Sequence, residues 1–307
     1  MVTLGTVIVC CGDAIVDVIS DAVPGGSNLN TAVAAARLGA PTAFLGRIST
    51  DADGAMLVRH LEDSGVDLRL VERGPEPTAR AIVTVDPTPS FRFEADGTAE
   101  ANLESASLDV IGPGPHIIQG GTFGMYRGAT AATLHRLIAD NPGLVVLDPN
   151  VRPSIIPDRS LWDLWHERWL DHTALYRCSN EDLDWIWGGR SESSVAGELL
   201  DRGIAAVVVT SADGCTIHTA GWDARVPGVS VEVVDTVGAG DTFTGTLLAG
   251  LHESKVRQPE ALRFLNKASF VAAAEAAVIA AGFVCTRQGA DPPWKDELRE
   301  FRARLGR

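Results

Sequence analysis

Short β-branched apolar runs alternate along this chain with stretches of helical period. The runs at 6–11, 42–46, 117–119, 144–148, 174–178 and 205–210 read as strands. The intervals 29–38, 54–64, 130–140, 195–202 and 261–281 carry helical patterns. This βαβα order predicts a mostly parallel sheet covered by helices on both faces. Ligands of such sheets bind beyond the carboxyl ends of the strands. Asp13, Asp148-Pro149-Asn150, Ser179 and Ser211 fall there.

One segment breaks the alternation. Residues 79–86 and 90–95 are extended runs around Pro87-Thr88-Pro89, a hairpin signal with no helix. With 15–23 they predict a small sheet projecting from the main body. It reads either as a flap for a site that must exclude water, or as a plain surface hairpin. Residues 294–307 read as a charged, solvent-facing helix.

The most specific chemistry lies in Val234-Asp235-Thr236-Val237-Gly238-Ala239-Gly240-Asp241-Thr242-Phe243. A β-branched run ends in a small-residue turn and feeds a helical pattern of Phe243, Leu247, Leu248 and Leu251. A helix start has unpaired N–H groups and the positive end of the dipole. Gly238, Ala239 and Gly240 leave that end bare for a phosphoryl group. Asp241 beside a bound phosphate is costly unless it acts, for example by taking a proton from an attacking hydroxyl. The pattern points to phosphoryl transfer to an alcohol.

Nearer the N-terminus, Gly12-Asp13 ends the first strand, Asp17 follows, and Pro24-Gly25-Gly26-Ser27-Asn28-Leu29-Asn30 leads into an Ala-rich helix. Asp13 and Asn30 suit the vicinal hydroxyls of a sugar. The alternative is a glycine turn with Ser27 or Asn28 as an ordinary helix cap. In Gly46-Arg47-Ile48-Ser49-Thr50-Asp51-Ala52-Asp53-Gly54, Asp51 or Asp53 reads as a cap. Trp162, Trp165 and Trp169 have helical spacing and read as core or interface, not as sugar-stacking rings. The seven histidines show no metal-ligand spacing.

Bulk properties narrow the classes. A chain of 307 residues fits one large α/β domain or two modest ones, and a hydrophobic content of 45% is ample for a core. With 40 acidic and 26 basic residues the net charge is −14, which disfavours nucleic acid or an anionic membrane as a partner. The five cysteines form no CxxC pair and read as buried free thiols in a reducing cytosol. The first run lacks a basic flank, so it reads as a strand and not a signal peptide, and no apolar run reaches membrane-spanning length. These features predict a cytoplasmic protein. No G-x-G-x-x-G follows the first strand, which excludes a Rossmann dehydrogenase.

Taken together and in order, four motifs resemble those of the PfkB, or ribokinase-like, family of carbohydrate kinases. They are Gly25-Gly26-x-x-x-Asn30, Gly46-Arg47 with Asp51 and Gly54, Asp148-Pro149-Asn150-x-Arg152, and Asp235-Thr236-x-Gly238-Ala239-Gly240-Asp241. The resemblance runs from Gly12 to about Gly289 and is greatest to fructokinase-like members, which share a lid stretch like Ser90-Phe91-Arg92-Phe93. It implies one ribokinase-like α/β domain over 1–307. This is a three-layer α/β/α sandwich with a mostly parallel central sheet and a small β lid from about 15–23 and 77–101. It also implies transfer of the γ-phosphate of ATP to a sugar hydroxyl, with Mg²⁺ and, in many members, activation by K⁺. Fructose or a related ketose or sugar acid is the expected acceptor. A nucleoside or ribose kinase, or a non-catalytic sugar or nucleotide sensor, is the alternative. Lid sheets of relatives can pair between subunits, which implies a homodimer.

Carried over by residue, Asp241 is the expected base, and the amides of Gly238, Ala239 and Gly240 the anion hole. Asp13, Asp17, Gly25, Gly26, Asn30 and Arg152 are expected at the sugar or phosphates, and Ser179, Thr210, Ser211, Gly214 and Gly240 at the nucleotide. Asp182 is expected to support Mg²⁺ indirectly, and Asp235 to help bind a monovalent cation or to cap the helix. Two stretches depart from the family pattern. Ser179-x-x-Asp182 stands where relatives often carry Asn-x-x-Glu, and Thr210-Ser211-Ala212-Asp213-Gly214 where Leu-Gly-x-x-Gly is common. An asparagine often found near the nucleotide has no counterpart here, Asn266 being too early.

Overall fold

A computed structural model describes residues 7–18, 21–84, 90–106, 109–110, 112, 114–156 and 158–306. The expected start of the first strand at Thr6, the turn Pro87-Thr88-Pro89, part of 15–23 and the terminal Arg307 lie outside these residues.

In chain order the strands are β1 (Ile8–Cys11), β2 (Ile15–Val18), β3 (Ala22–Gly25), β4 (Thr42–Ser49), β5 (Val71–Gly74), β6 (Arg80–Thr84), β7 (Ser90–Glu94), β8 (Ile117–Gly121), β9 (Leu144–Asp148), β10 (Leu175–Ser179), β11 (Ala206–Ser211), β12 (Gly214–Thr219) and β13 (Asp223–Pro227). Nine form one sheet in the order β13-β12-β11-β10-β9-β8-β1-β4-β5. It is parallel from β5 through β11, and antiparallel at β12 and β13. The chain leaves β1 towards β4 and returns on its other side at β8, so a switch point opens beside the carboxyl end of β1.

Alternation along the strands builds two cores. Ile8 and Cys10 face one side, with Leu57, Leu248 and Phe270 from the helices Ala52–Asp63, Ala239–Glu253 and Lys267–Val284. Val9 and Cys11 face the other, with Leu134, Trp162 and Leu199 from Gly128–Asp140, Arg159–Leu170 and Glu192–Asp201. These are the three expected layers. Trp162 and Trp169 are fully buried in the second core, as their spacing predicts.

The remaining four strands form a small sheet in the order β3-β2-β6-β7. Its β2–β6 pairing is parallel, and its two outer pairings are antiparallel. Asp51 is the cap of Ala52–Asp63, accepting from Gly54 N at 2.7 Å, and it also accepts from Thr78 N at 2.9 Å, just before β6. Asp53 is not a cap; it pairs with Arg80 of β6 at 2.6 Å. The two acids therefore tie the small sheet to the large one. Arg47 pairs with Glu76 and Glu72.

Several expectations need correction. The stretch 261–281 is not one helix: Pro259–Arg263 and Lys267–Val284 are separated at Phe264-Leu265-Asn266. Asn266 caps the second helix, accepting from Ser269 N at 2.9 Å, because its side chain competes for backbone N–H groups. Lys267–Val284 is, by length and composition, apolar enough to cross a membrane. Its Phe270, Ala274, Ala277 and Val284 are instead buried in the core. The C-terminal helix is Lys295–Arg304, with no buried residue.

Candidate active site

The helix Ala239–Glu253 opens on Gly238, whose backbone is left-handed (φ 76°). Gly238, not Asp235, is therefore the cap. Asp235 accepts instead from Val237 N at 3.0 Å and from Gly289 N at 2.9 Å, clamping two loops together. Asp241 lies in the first helical turn. Its Oδ1 accepts from Ser27 Oγ at 2.6 Å and its Oδ2 from Asn30 Nδ2 at 2.9 Å.

Both donors stand on the helix Ser27–Arg37. Gly26 precedes it at φ +102°, where a side-chain carbon would lie 2.8 Å from the Asp13 carbonyl oxygen. That close turn lets Ser27 N donate to Asp13 Oδ2 at 2.9 Å. Ser27 is thus not a side-chain cap, and Asn28 donates to Gln119 across the core. The helices Ser27–Arg37 and Ala239–Glu253 approach closely because position 245 is glycine. A carbon there would lie 2.5 Å from the Thr31 carbonyl oxygen.

A cavity of 440 Å³ opens at this point. Asp13, Asp17, Gly26, Asn30, Arg152, Gly238, Gly240 and Asp241 line it, together with Ser27, Thr122, Phe123, Asn150, Phe93 and Ala81. Gly25 is not among them; it packs against Asp17, whose Oδ2 would be 2.3 Å from a carbon at that position. Burial pushes the Asp13 carboxyl up to about 7, with repulsion from Asp241 adding to it. Burial, then Asp241, likewise raises Asp17 to about 6. Asp13 Oδ1, Asn30 Oδ1 and Thr122 Oγ1 are buried without a hydrogen-bond partner. Thr122 and Asn150 hold left-handed backbones at φ 49° and 39°, a strain that gathers at binding sites.

A second cavity of 490 Å³ adjoins the first, sharing Asn150, Arg152, Thr236 and Gly240 with it. Ala239, Ser179, Asp182, Thr210, Ser211 and Gly214 line it, with Arg177 and Cys285. Its apolar lining includes Val229, Val231, Val233, Val278 and Ala281. Thr210 and Ser211 end β11, Ala212-Asp213 form the tight turn of the hairpin, and Gly214 opens β12. The Thr210 hydroxyl is engaged inward, accepting from Arg177 Nη2 at 2.6 Å, and Ser211 Oγ accepts from Asp213 N at 3.2 Å. Asp182 forms a capping box with Ser179 and also accepts from Val151 N at 2.7 Å.

Among the described residues, no cluster of three or more His, Cys, Asp or Glu forms a metal cage. Mg²⁺ needs none: it keeps several waters and takes one or two carboxylates plus phosphates. Exposed Glu181 and buried Asp182, side by side in the second cavity, are acids of that kind.

The sequence reading did not single out Ser27 as a partner of Asp241, and it passed over Arg177. Arg177 donates to Asp148 Oδ2 at 2.8 Å in a buried pair. Its only sequence signal is a charge inside an apolar strand.

Comparison with known proteins agrees with this geometry. Residues 21–297 match the model of the pfkB family carbohydrate kinases. A fructokinase of Rhizobium leguminosarum bv. trifolii is 32% identical over 258 residues, covering 80% of this chain and 79% of that protein. A solved fructokinase from Xylella fastidiosa with bound ATP superposes with a TM-score of 0.89 at 23% identity, over 99% of this chain and 100% of that one. A double mutant of the Vibrio cholerae O395 fructokinase, solved with fructose, ADP and potassium ion, gives a TM-score of 0.82 at 27% identity, over 98% of both chains. With its central sheet, its small second sheet and its Asp241-bearing helix start, this chain belongs to the pfkB family of carbohydrate kinases, phosphotransferases that act on a sugar hydroxyl.

Proposed function

We propose that this chain transfers the γ-phosphoryl group of ATP to a hydroxyl of fructose, with Asp241 as the base. One observation carries the reading. Two cavities meet at Gly240, and Asp241 stands on the side lined by Asp13, Asp17 and Asn30. The first suits a polyol, since Asp13, Asn30 and Thr122 line it and each keeps a side-chain oxygen without a hydrogen-bond partner. The second suits the nucleotide, since polar Ser179, Asn180, Thr210 and Ser211 and apolar Val229, Val231, Val233 and Val278 both line it.

Ser27 and Asn30 hold the Asp241 carboxylate in one orientation, ready to accept the proton of an incoming hydroxyl. The amides of Gly238 and Gly240 face negative charge on the transferring group, whereas that of Ala239 already donates to the Thr236 carbonyl oxygen at 3.2 Å. Arg152 lines both cavities and offers a rigid fork of donors to sugar or phosphate. Glu181 and Asp182 would hold the Mg²⁺ through its waters. The ion neutralises phosphate charge when bound. The clamp by Asp235 of the 237 and 289 loops fits an additional K⁺ role near the helix start. The small sheet acts as the lid, since its Ile15, Asp17, Val23, Ala81 and Phe93 line the first cavity. Its outer strands β3 and β7 are open edges through which a second copy can pair. Five unpaired cysteines support a reducing, cytoplasmic setting.

A neutral ketose fits the first cavity better than a sugar acid, because Asp13, Asp17 and Asp241 all face it against Arg152, the one cation among the described residues that line it. The test is ADP release with fructose, ribose, gluconate-type acids and nucleosides at equal concentration. Turnover is expected with fructose and little or none with the acids. Preference for a nucleoside contradicts the acceptor assignment.

A further inference from the structure

We infer that Arg177 is a positioning residue of phosphoryl transfer, a buried cation that seats the first turn of the Asp241 helix and backs the anion hole with positive charge. The inference rests on the kinase reading above.

Arg177 stands in β10 between Tyr176 and Cys178, both buried. Its side chain is 5% exposed and that of its partner Asp148 is 1% exposed. Nη1 donates to Asp148 Oδ2 at 2.8 Å, and Nη2 to Thr210 Oγ1 at 2.6 Å. Thr244, one position beyond Phe243 on the Asp241 helix, donates its hydroxyl to the same Asp148 oxygen at 2.8 Å. Asp148 is therefore the hub between the cation and the helix. A carbon placed on Gly240 would lie 3.0 and 3.1 Å from the two terminal guanidinium nitrogens. The charge thus rests against the backbone of the anion hole. The guanidinium carbon also lies 5.6 Å from the Phe243 ring centre.

Stability alone does not account for this pair. Replacing a buried ion pair with apolar side chains of similar volume is often neutral or stabilising. Here the pair is not even fully satisfied, since Arg177 Nε and Asp148 Oδ1 have no hydrogen-bond partner. A fixed cation beside developing negative charge does account for it, because a dry site weakens screening and the group needs no reorientation. Arginine suits the place: it stays charged when buried, and its fork holds two acceptors at once.

The test compares Arg177→Met and Arg177→Lys in sugar-dependent ADP release, with KM for sugar and melting temperature measured alongside. The Met variant is expected to lose about 10²–10³-fold in kcat, the size of losing one preorganised donor, with KM for the sugar nearly unchanged. The Lys variant, which restores charge without the fork, is expected to recover part of that loss. Thr244→Val, nearly isosteric, guards against misfolding: it cuts the link from Asp148 to the helix and is expected to lower kcat by about threefold or more at unchanged sugar KM. Wild-type-like kcat in Arg177→Met, or equal losses in Met and Lys variants that follow a lowered melting temperature, overturns the inference. Absence of turnover in the wild-type chain would instead sink the kinase reading, which keeps the two failures apart.

Discussion

Ser27 and Asp241 lie 214 positions apart, yet the serine hydroxyl donates to the carboxylate at 2.6 Å. Asn30 holds the other carboxylate oxygen from the same helix. Both oxygens of the proposed base are thus fixed by one neighbouring helix, and its approach depends on the bare backbone at Gly245. A base already aimed at its proton needs no reorganisation during the reaction.

Removing these donors should therefore slow turnover more than it weakens sugar binding. Ser27→Ala and Asn30→Ala are each expected to lower kcat about tenfold or more, since a hydrogen bond to a charged group is worth about 1.5–3 kcal/mol. The double variant should fall short of the product of the two losses, because both act on one carboxylate. Steady-state kinetics of the three proteins check this; full additivity contradicts a shared role.

The acids of the first cavity give a pH dependence. Asp13, raised to about 7, and Asp17, raised to about 6, carry protons at mildly acid pH and lose them towards neutrality. The kcat/KM for the sugar is expected to rise from about pH 5 to about pH 8 as these groups become full acceptors. Stability moves the opposite way. A carboxyl raised in the folded state contributes stability fully below its unfolded value, and loses it as pH rises through the folded value, here about 7 for Asp13. Asp13→Asn should therefore gain melting temperature relative to the wild type as pH rises across that window. A constant difference between the two proteins contradicts the assignment.

Thiol chemistry reports on the second cavity. Cys10, Cys11, Cys178 and Cys215 are buried, whereas Cys285 is partly open and lines that cavity. Burial raises the Cys285 thiol, so labelling should be slow at neutral pH and faster above it. An alkylating reagent is expected to modify Cys285 first, and ATP to slow the reaction markedly. Mass spectrometry of labelled peptides reads both, and labelling indifferent to ATP contradicts nucleotide binding there.

The sequence carried the parallel core of the fold because buried strands such as Leu144–Asp148 are continuous apolar runs with clear borders. It carried the small-residue helix start at Gly238 because bare small residues before a helical pattern are a local signal. The β12–β13 edge was not legible: Gly214–Thr219 and Asp223–Pro227 are short, half-polar strands that exist because β11 offers them an edge. The helix break near Asn266 was also hidden, since Ala261 and Leu262 before it and the alanine-rich run after it keep a helical pattern. Many motif residues line the two cavities, but Gly25 and Asp235 do not, and motif membership did not fix their roles. Thr210 serves Arg177, Asp235 clamps two loops, and Gly25 makes room for Asp17. Such roles depend on partners distant in sequence, as Arg177 and Asp148 are, and no local pattern encodes them.

The most direct measurement is sugar binding and turnover side by side in Asp241→Asn. The substitution keeps the shape of the side chain and removes its capacity as a base. Calorimetric sugar affinity is expected to stay near that of the wild type, while fructose-dependent ADP release falls by roughly 10²–10⁴-fold, the contribution of a positioned base. Turnover equal to that of the wild type in a variant that still binds the sugar would contradict the account.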